Sequence, residues 1–311
     1  IIDHRPFSLA ARSKKQTRSL SKKYTATWIG MNNSFVFDIN EISRNEKYIK
    51  IGLPFNPDNR IFKLFLLPYI NLVVFKYLIK IKPQVVHLHD LKLLFSTLLY
   101  KLLNKTVIIY DAHELHYLKR DHRNIFNRLL NKFDFICEKI IIKYSEIIIQ
   151  CSKSRAEIFS KKYNTLVPHT IENHSKIFSV INEENGIREL LNTDERIIVF
   201  SGHFANELYS HKNVIKALKY IEEPVHYCIV GFFSENDKLI ITEIAEQEKC
   251  IDTVHLIPAV PTEKLVNFIS SADIAIIPLF ANTLNHEYPA LNKFSQSLMA
   301  GLPIAGSDIK A

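Results

Sequence analysis

Two short clusters of histidines and carboxylates follow apolar runs and carry the residue types that do chemistry. VVHLHD occupies residues 85–90, and YDAHELHY occupies residues 110–117. Their side chains could ligate a metal, contact a substrate, or simply end two strands. A zincin site needs H-E-x-x-H on a helix, whereas His113 and His116 stand three positions apart with no third ligand in register. The spacing favours a substrate contact for His113, leaves His87 and His116 as polar strand-end residues, and makes a metal held by both strand ends the weaker alternative.

Short apolar runs rich in β-formers alternate with helical patterns along the whole chain. The strands predicted before residue 172 are 25–31, 84–90, 106–112, 146–152 and 164–170. A polar stretch at 172–186 interrupts the rhythm, which then restarts with predicted strands 196–202, 225–231, 253–257, 273–279 and 302–306. Continuous apolar strands joined by helical crossovers predict parallel sheets that are covered on both faces.

The expected fold is therefore α/β, with two Rossmann-like domains whose parallel sheets face a cleft. The boundaries are 1–172 for the first domain, 173–195 for a linker and 196–311 for the second domain. In open parallel sheets, ligands bind beyond the carboxyl ends of the strands. His89, Asp111 and His113 end or follow two predicted strands, so we expect them at the cleft.

The formal net charge of +8 is unevenly distributed along the chain. Residues 1–170 contain 29 lysines and arginines against 13 acids, and residues 171–311 contain 11 against 19. Such a basic front half suggests a polyanionic partner, namely anionic lipid, nucleic acid or a phosphorylated substrate, and a solvated basic surface is the plain alternative. No nucleic-acid-binding module is recognisable, so we expect no nucleic acid partner.

The cysteine spacing and the longest apolar run indicate the environment in which the chain folds. The four cysteines are far apart and form no C-x-x-C pair, which is typical of buried thiols in a reducing compartment. The longest apolar run, 61–79, contains Lys63, Pro68, Asn71 and Lys76, which would be costly at the centre of a bilayer. It predicts a partly buried helix rather than a membrane span.

Three segments together resemble the retaining glycosyltransferases of family 4, also called group 1. The paired strand ends KPQVVHLHD (82–90) and VIIYDAHELHY (107–117) are similar to the family's "kPDvvHaHd … viyDaHE". SEIIIQCSKSRAEIFSKKYNTLVPHTIE (145–172) is similar to the segment before the family's linker, and LNKFSQSLMAGLPIAGSDI (291–309) resembles "PNKffEylaaGlPvvasd". The resemblance spans roughly residues 82–309 and its parts occur in the family's order.

This resemblance implies a GT-B enzyme that moves a sugar from a nucleotide-diphosphate-sugar to a glycan or lipid-linked acceptor with retention. It implies no metal and no cofactor, because protein cations and helix N-termini neutralise the leaving diphosphate. Carried over by motif, His113 matches the histidine that reaches the donor sugar, and Lys212 matches the diphosphate-binding cation. The other positions that the motifs assign to substrate are Gly202, His203, Asn292, Lys293, Gln296, Glu287, His89 and Asp111.

The chain departs from the family pattern at several of these positions. His203 stands where the family has an arginine, and Gln296 stands where a glutamate binds the donor ribose. Tyr288 falls on the upstream glutamate of the family's Glu-x7-Glu signature, with Glu287 beside it. These departures support a rival hypothesis, a GT-B-like binding or scaffold subunit without catalysis. A nucleotide-sugar epimerase of similar shape is a third hypothesis.

Related enzymes often act on lipid-linked acceptors at the inner face of a membrane. The resemblance therefore implies a cytoplasmic enzyme of surface polysaccharide or glycolipid synthesis. The basic segments 11–24 and 119–143 suggest that it attaches peripherally to anionic headgroups. The sequence opens without Met, and relatives carry more chain after the "GlPvvasd" strand, so we expect this sequence to be cut at both ends.

Overall fold

We describe the protein from a computed structural model, which covers residues 1–7, 10–32, 37–52, 60–112, 115, 125–172, 186–204, 209–280, 284–289 and 292–309. The chain divides into two compact units, Ile1–Glu172 and Asn173–Ala311. Within the described ranges, no helix combines the length and the apolar character that crossing a membrane requires.

The N-terminal unit is built on an eight-stranded sheet. Its strands in spatial order are β3 (Asp38–Ser43), β4 (Glu46–Ile51), β2 (Ala26–Met31), β1 (Ile2–Pro6), β5 (Val85–Leu88), β6 (Val107–Ala112), β7 (Ile147–Gln150) and β8 (His169–Thr170). The pairing of β3 with β4 is antiparallel, and the other strand pairs among the described residues of this unit are parallel. The helices are α1 (Ala11–Ser21), α2 (Arg60–Ile81), α3 (Leu94–Leu103), α4 (Ile125–Tyr144) and α5 (Lys153–Tyr163). The strand order reverses between β1 and β5, and such switch points form ligand crevices in open sheets.

The C-terminal unit has a five-stranded sheet in which every strand pair is parallel. The strands in spatial order are β11 (Val254–Pro258), β10 (Val225–Gly231), β9 (Arg196–Ser201), β12 (Ile274–Ile277) and β13 (Ile304–Gly306). The helices are α6 (Ile187–Leu191), α7 (His211–Leu218), α8 (Glu235–Gln247), α9 (Thr262–Ile269), α10 (Leu284–Glu287) and α11 (Asn292–Met299). Its switch point lies between β9 and β12.

The burial pattern explains why the apolar runs form central strands. Successive strand residues point to opposite faces, so a strand covered on both sides is apolar throughout. In β10, Cys228 and Val230 pack into one core and Tyr227 and Ile229 pack into the core on the other face. The structure therefore confirms the predicted α/β class with two sheets of mostly parallel strands.

The sequence pattern gave no indication of three strands of the N-terminal unit. Strand β1 carries Asp3, His4 and Arg5, and β3 and β4 form a largely polar hairpin. The predicted linker lies outside the described residues over 173–185, and its remaining part contains α6, whose Ile187 is buried in the core of the C-terminal unit.

Candidate functional site

The carboxyl end of β9 is shaped by two glycines. Gly202 has φ +143°, a conformation that L side chains rarely adopt. Its N–H donates a hydrogen bond of 2.9 Å to the carbonyl of Val230. A Cβ on Gly231 would collide with the Gly202 carbonyl, so both positions need glycine for the ends of β9 and β10 to approach. The end of β9 therefore carries no side chain of its own at this position, so its backbone can come close to another group.

Lys293, the second residue of α11, lies directly against this glycine. A Cβ on Gly202 would be 3.0 Å from the Lys293 Nζ. The Nζ is 4.0 Å from the ring centroid of Phe200 and 3.7 Å from that of Tyr209, and the side chain is only 9% exposed. Burial lowers the pKa of Lys293 to about 7. The structure thus brings together two residues predicted from distant motifs, Gly202 and Lys293.

The other predicted residues of the C-terminal unit occupy varied environments. Asn292 begins α11 and is exposed, whereas Gln296, one turn later, is buried. His203 is exposed, and its Nδ1 lies 3.2 Å from the Phe232 carbonyl. Glu287 ends α10 and is half-buried. None of these positions is tested by the fold alone, and their roles stay predictions.

Lys212 is exposed on the first turn of α7. It shares α7 with Lys216, and Lys219 follows the end of this helix; these two lysines pair with Glu248 at 3.9 and 2.9 Å. Hydrogen bonding to Lys219 and the charges of all three lysines lower the pKa of Glu248. Because its ammonium is exposed to solvent, Lys212 remains available to an incoming anion.

His211, the residue before Lys212, is fully buried behind Lys293 and was not singled out by the sequence. Its Nδ1 lies 2.7 Å from the Tyr227 hydroxyl, and its ring stacks on Phe204 at 4.8 Å. Burial and, to a smaller extent, the Lys293 charge lower the pKa of His211 to about 3. The sequence around His211 does not predict its burial, because the ring contacts with Phe200, Phe204 and Tyr227 form only when β9, β10 and α7 pack together.

We expect the buried neutral His211 to make the C-terminal unit acid-sensitive. The unfolded chain binds a proton below a pKa of about 6.5, but the folded chain does so only near 3, so stability falls as pH decreases through this window. The loss should reach about 2 kcal/mol at pH 5. Urea unfolding of the unit, followed by hydrogen exchange at pH 7 and 5, measures it. His211→Phe should reduce the difference and the exposed His169→Ala should not, whereas an equal acid loss in His211→Phe would contradict the assignment.

The N-terminal unit holds a buried polar cluster at the carboxyl ends of β5 and β6. The His87 Nε2 and His89 Nδ1 lie 3.6 and 3.8 Å from the Asp111 Oδ2, and the two imidazoles stack with centroids 4.6 Å apart. Asp111 is fully buried and accepts hydrogen bonds from Arg12 at 2.8 and 3.3 Å and from Gln16 at 2.8 Å. His89 and Asp111 therefore lie together beneath the surface of the N-terminal unit.

Arg12 and Gln16 are the members of this cluster that sequence reasoning missed. They belong to α1, part of the basic segment 11–24 that the sequence suggested as a contact with anionic headgroups or as a solvated surface, and Arg12 is only 7% exposed. Arg12 also donates a hydrogen bond of 3.1 Å to the Ile171 carbonyl. Its partner Asp111 is 99 positions away in the chain, so no local pattern could reveal the pair.

The donor atoms of His87, His89 and Asp111 lie within 4.8 Å of one another, close enough to share a metal ion. However, both carboxylate oxygens of Asp111 already accept hydrogen bonds from the Arg12 guanidinium. A divalent cation at the same carboxylate would stand beside a permanent positive charge and be repelled by it. The cluster is better suited to holding the end of β6 in place than to binding a metal.

His113 and its neighbours Glu114 and His116 lie outside the described residues. His113 follows Ala112, the fully buried last residue of β6, and stands two positions after Asp111. The Arg12–Asp111 pair therefore fixes the strand that leads into His113.

Comparison with known proteins found one family match and several solved structures of similar fold. Residues 182–288 match the family of group 1 glycosyl transferases. No curated protein matches the chain in sequence. Among solved structures, sucrose-phosphate synthase from Thermosynechococcus elongatus is 15% identical with a TM-score of 0.72, over 97% of this chain and 75% of that one.

Two further structures have the same fold. HepE from Anabaena, solved with UDP-glucose, is 10% identical with a TM-score of 0.67, over 99% of this chain and 79% of its own. A putative UDP-N-acetylglucosamine 2-epimerase from Listeria monocytogenes is 10% identical with a TM-score of 0.56, over 99% of this chain and 78% of its own. At these identities the likeness establishes the fold, which transferases and an epimerase share.

Proposed function

Since this chain has the GT-B fold and resembles the group 1 glycosyltransferases, we propose that it transfers a sugar from a nucleotide-diphosphate-sugar to a glycan or lipid-linked acceptor with retention. The observation that carries this proposal is the pair of Gly202 and Lys293 at the switch point of the C-terminal sheet. A bare backbone, a buried lysine and a helix N-terminus together make a place for a diphosphate. HepE, which has the same fold, was solved with UDP-glucose.

In the proposed reaction, the C-terminal unit stabilises the leaving diphosphate. The bond from the anomeric carbon to the diphosphate oxygen breaks, a bond to an acceptor hydroxyl oxygen forms, and the hydroxyl proton is released. Negative charge grows on the diphosphate as its bond breaks, so cations at Lys212 and Lys293 and the N-terminus of α11 stabilise the transition state more than the ground state. This requires no metal, and transfer should persist in EDTA.

His113 is proposed to hydrogen-bond a donor-sugar hydroxyl and to stabilise the oxocarbenium-like transition state. The support comes from its place in the chain, directly after β6, whose carboxylate Asp111 is held by Arg12 and Gln16. A site residue on a strand end that is fixed by buried hydrogen bonds is positioned more accurately than one on a free loop. His89 and Asp111 then act through position rather than by touching the sugar.

Attachment to an anionic membrane surface is supported by the exposed face of α4. Its exposed apolar residues recur at helical spacing, and they are Ile125, Leu129, Phe133, Ile136 and Ile140. The exposed cations Arg128, Lys132, Lys139 and Lys143 form a stripe beside them, while Asp134 and Glu138 are on the more buried side. An apolar stripe bordered by cations is the pattern of a helix that lies in the headgroup region. It suits an enzyme with a lipid-linked acceptor.

Removing part of this stripe should weaken vesicle binding. Leu129→Ser with Phe133→Ser deletes two exposed apolar side chains, each worth about 1.5–3 kcal/mol on burial. The affinity for phosphatidylglycerol vesicles, measured by co-sedimentation, should therefore fall by at least about 100-fold. Leu239→Ser, which removes a comparably exposed leucine from α8, is the matched control and should bind like wild type. Unchanged binding of the double variant would mean that α4 does not face the lipid.

The central proposal is tested by ligand-observed NMR with a panel of UDP-, GDP-, ADP- and dTDP-sugars. We expect one of them to bind and to be hydrolysed slowly in the absence of acceptor. Binding without hydrolysis or transfer would support the rival non-catalytic subunit, which the exposed His203 and the uncharged Gln296 favour. Interconversion of free nucleotide-sugars would support an epimerase, and no binding at all would contradict every nucleotide-sugar function.

A further inference from the structure

The buried ammonium of Lys293 has no anionic partner among the residues that the structure describes. No described carboxylate or carbonyl binds its Nζ, and burial alone accounts for its lowered pKa. What surrounds the Nζ is aromatic, with Phe200 on β9 and Tyr209 just before α7 presenting ring faces at 4.0 and 3.7 Å. Ring faces attract a cation but stabilise it much less than an anion would in a dry site.

The titratable groups that face Lys293 cannot supply that anion either. Burial raises the pKa of Tyr209 to about 12 and lowers that of His211 to about 3. Tyr227, which hydrogen-bonds His211, also has a raised pKa because it is buried. All three are therefore neutral near pH 7. A negative charge next to the Lys293 ammonium would have to come from a bound ligand.

Compared with the family pattern, the chain lacks a permanently charged side chain at position 203, next to Gly202. The family arginine after Gly202 is His203 here, an exposed side chain whose Nδ1 lies 3.2 Å from a carbonyl oxygen. Arginine would provide a permanent charge next to the glycine. Lys293 reaches the same glycine from α11, since its Nζ lies 3.0 Å from where a Gly202 Cβ would be.

We infer that Lys293 supplies the diphosphate-binding cation that position 203 lacks, in a site where only the bound donor provides its counter-charge. This inference rests on the proposed nucleotide-sugar function. It follows that donor binding makes Lys293 take up a proton when the pH is above about 7, because the incoming diphosphate favours the charged amine. Binding should then weaken as pH rises, even though the diphosphate diester of a nucleotide-sugar stays ionised throughout.

The test is calorimetry with UDP-glucose at pH 6.5 and 8.5, in two buffers of different ionisation enthalpy. Wild type should take up about one proton per ligand at pH 8.5 and bind about 20-fold more weakly there than at pH 6.5. Lys293→Met should bind at least 10-fold more weakly at pH 6.5, with no proton uptake and no pH dependence. Adding His203→Arg to Lys293→Met should restore affinity without restoring proton uptake.

Two controls separate this role from a structural one. Lys216→Met removes an exposed lysine of α7 and should leave affinity and proton uptake unchanged. Lys293→Met removes a buried amine and should raise the thermal midpoint, so weaker binding cannot come from unfolding. If proton uptake at pH 8.5 is the same in wild type and Lys293→Met, the inference is overturned while the proposed function stands. If none of the nucleotide-sugars of the NMR panel binds wild type, the proposed function fails and the inference fails with it.

Discussion

Asp111→Ala is expected to lower the free energy of unfolding of the N-terminal unit by about 3–5 kcal/mol, because it leaves the buried Arg12 charge without its carboxylate. Both carboxylate oxygens accept hydrogen bonds from Arg12, and neither residue is more than 7% exposed. Trp28 is the single tryptophan and is fully buried in this unit, so its fluorescence in urea reports on this unit alone.

The control for this measurement is the solvent-exposed pair of Glu41 and Lys47. Glu41→Ala should cost at most about 1 kcal/mol, as exposed ion pairs do. Asp111→Asn should fall between the two, since an amide keeps part of the hydrogen bonding but not the charge. A loss below about 1 kcal/mol in Asp111→Ala would mean that Arg12 finds water or another acceptor, and the cluster would then not be what holds the end of β6.

His113→Ala is expected to lower the transfer rate by about 100-fold or more, since it removes a contact that stabilises developing charge at the sugar. Lys212→Ala should have a comparable effect, because it removes a cation from the leaving diphosphate. Single-turnover transfer with the donor identified by NMR separates these losses from weaker binding. His116→Ala, a neighbouring histidine for which we propose no substrate contact, is the control.

The two variants also distinguish the tasks of the two units. His113→Ala should affect kcat and leave nucleotide affinity nearly unchanged, whereas Lys212→Ala should weaken nucleotide binding as well. If turnover of the true substrate is unaltered in both variants, these residues are not the site, and the motif-based assignment is wrong.

The sequence predicted the parts of the fold that depend on local pattern. The run VHYCIVG matches β10 to the residue, because a strand covered on both faces must be apolar throughout. Strand β1 was not predicted, because it contains the charged residue Asp3. Burial of Asp3 depends on hydrogen bonds from Arg5 and Ser13, which an alternating apolar pattern does not reveal. The β3–β4 hairpin was not predicted because most of its residues are polar, although β4 is largely buried where it pairs with β2.

The sequence named candidate site residues but could not show their environments. Motif resemblance placed Gly202 and Lys293 in one site although they are far apart in the chain, and the structure puts them in contact. It could not show that Lys293 is buried between Phe200 and Tyr209, because those rings come from other elements. Arg12 likewise has the sequence environment of a surface cation, and only the folded chain supplies Asp111.

The most direct test of the nucleotide-sugar assignment is hydrogen–deuterium exchange with and without the nucleotide-sugar selected by NMR. The Gly202–Lys293 site predicts that exchange slows in residues 201–204 and in the first turn of α11, from Asn292, while β10 and β11 in the same unit stay unchanged. Protection confined to other parts of the chain, or no protection at saturating nucleotide-sugar, would contradict the assignment of this site.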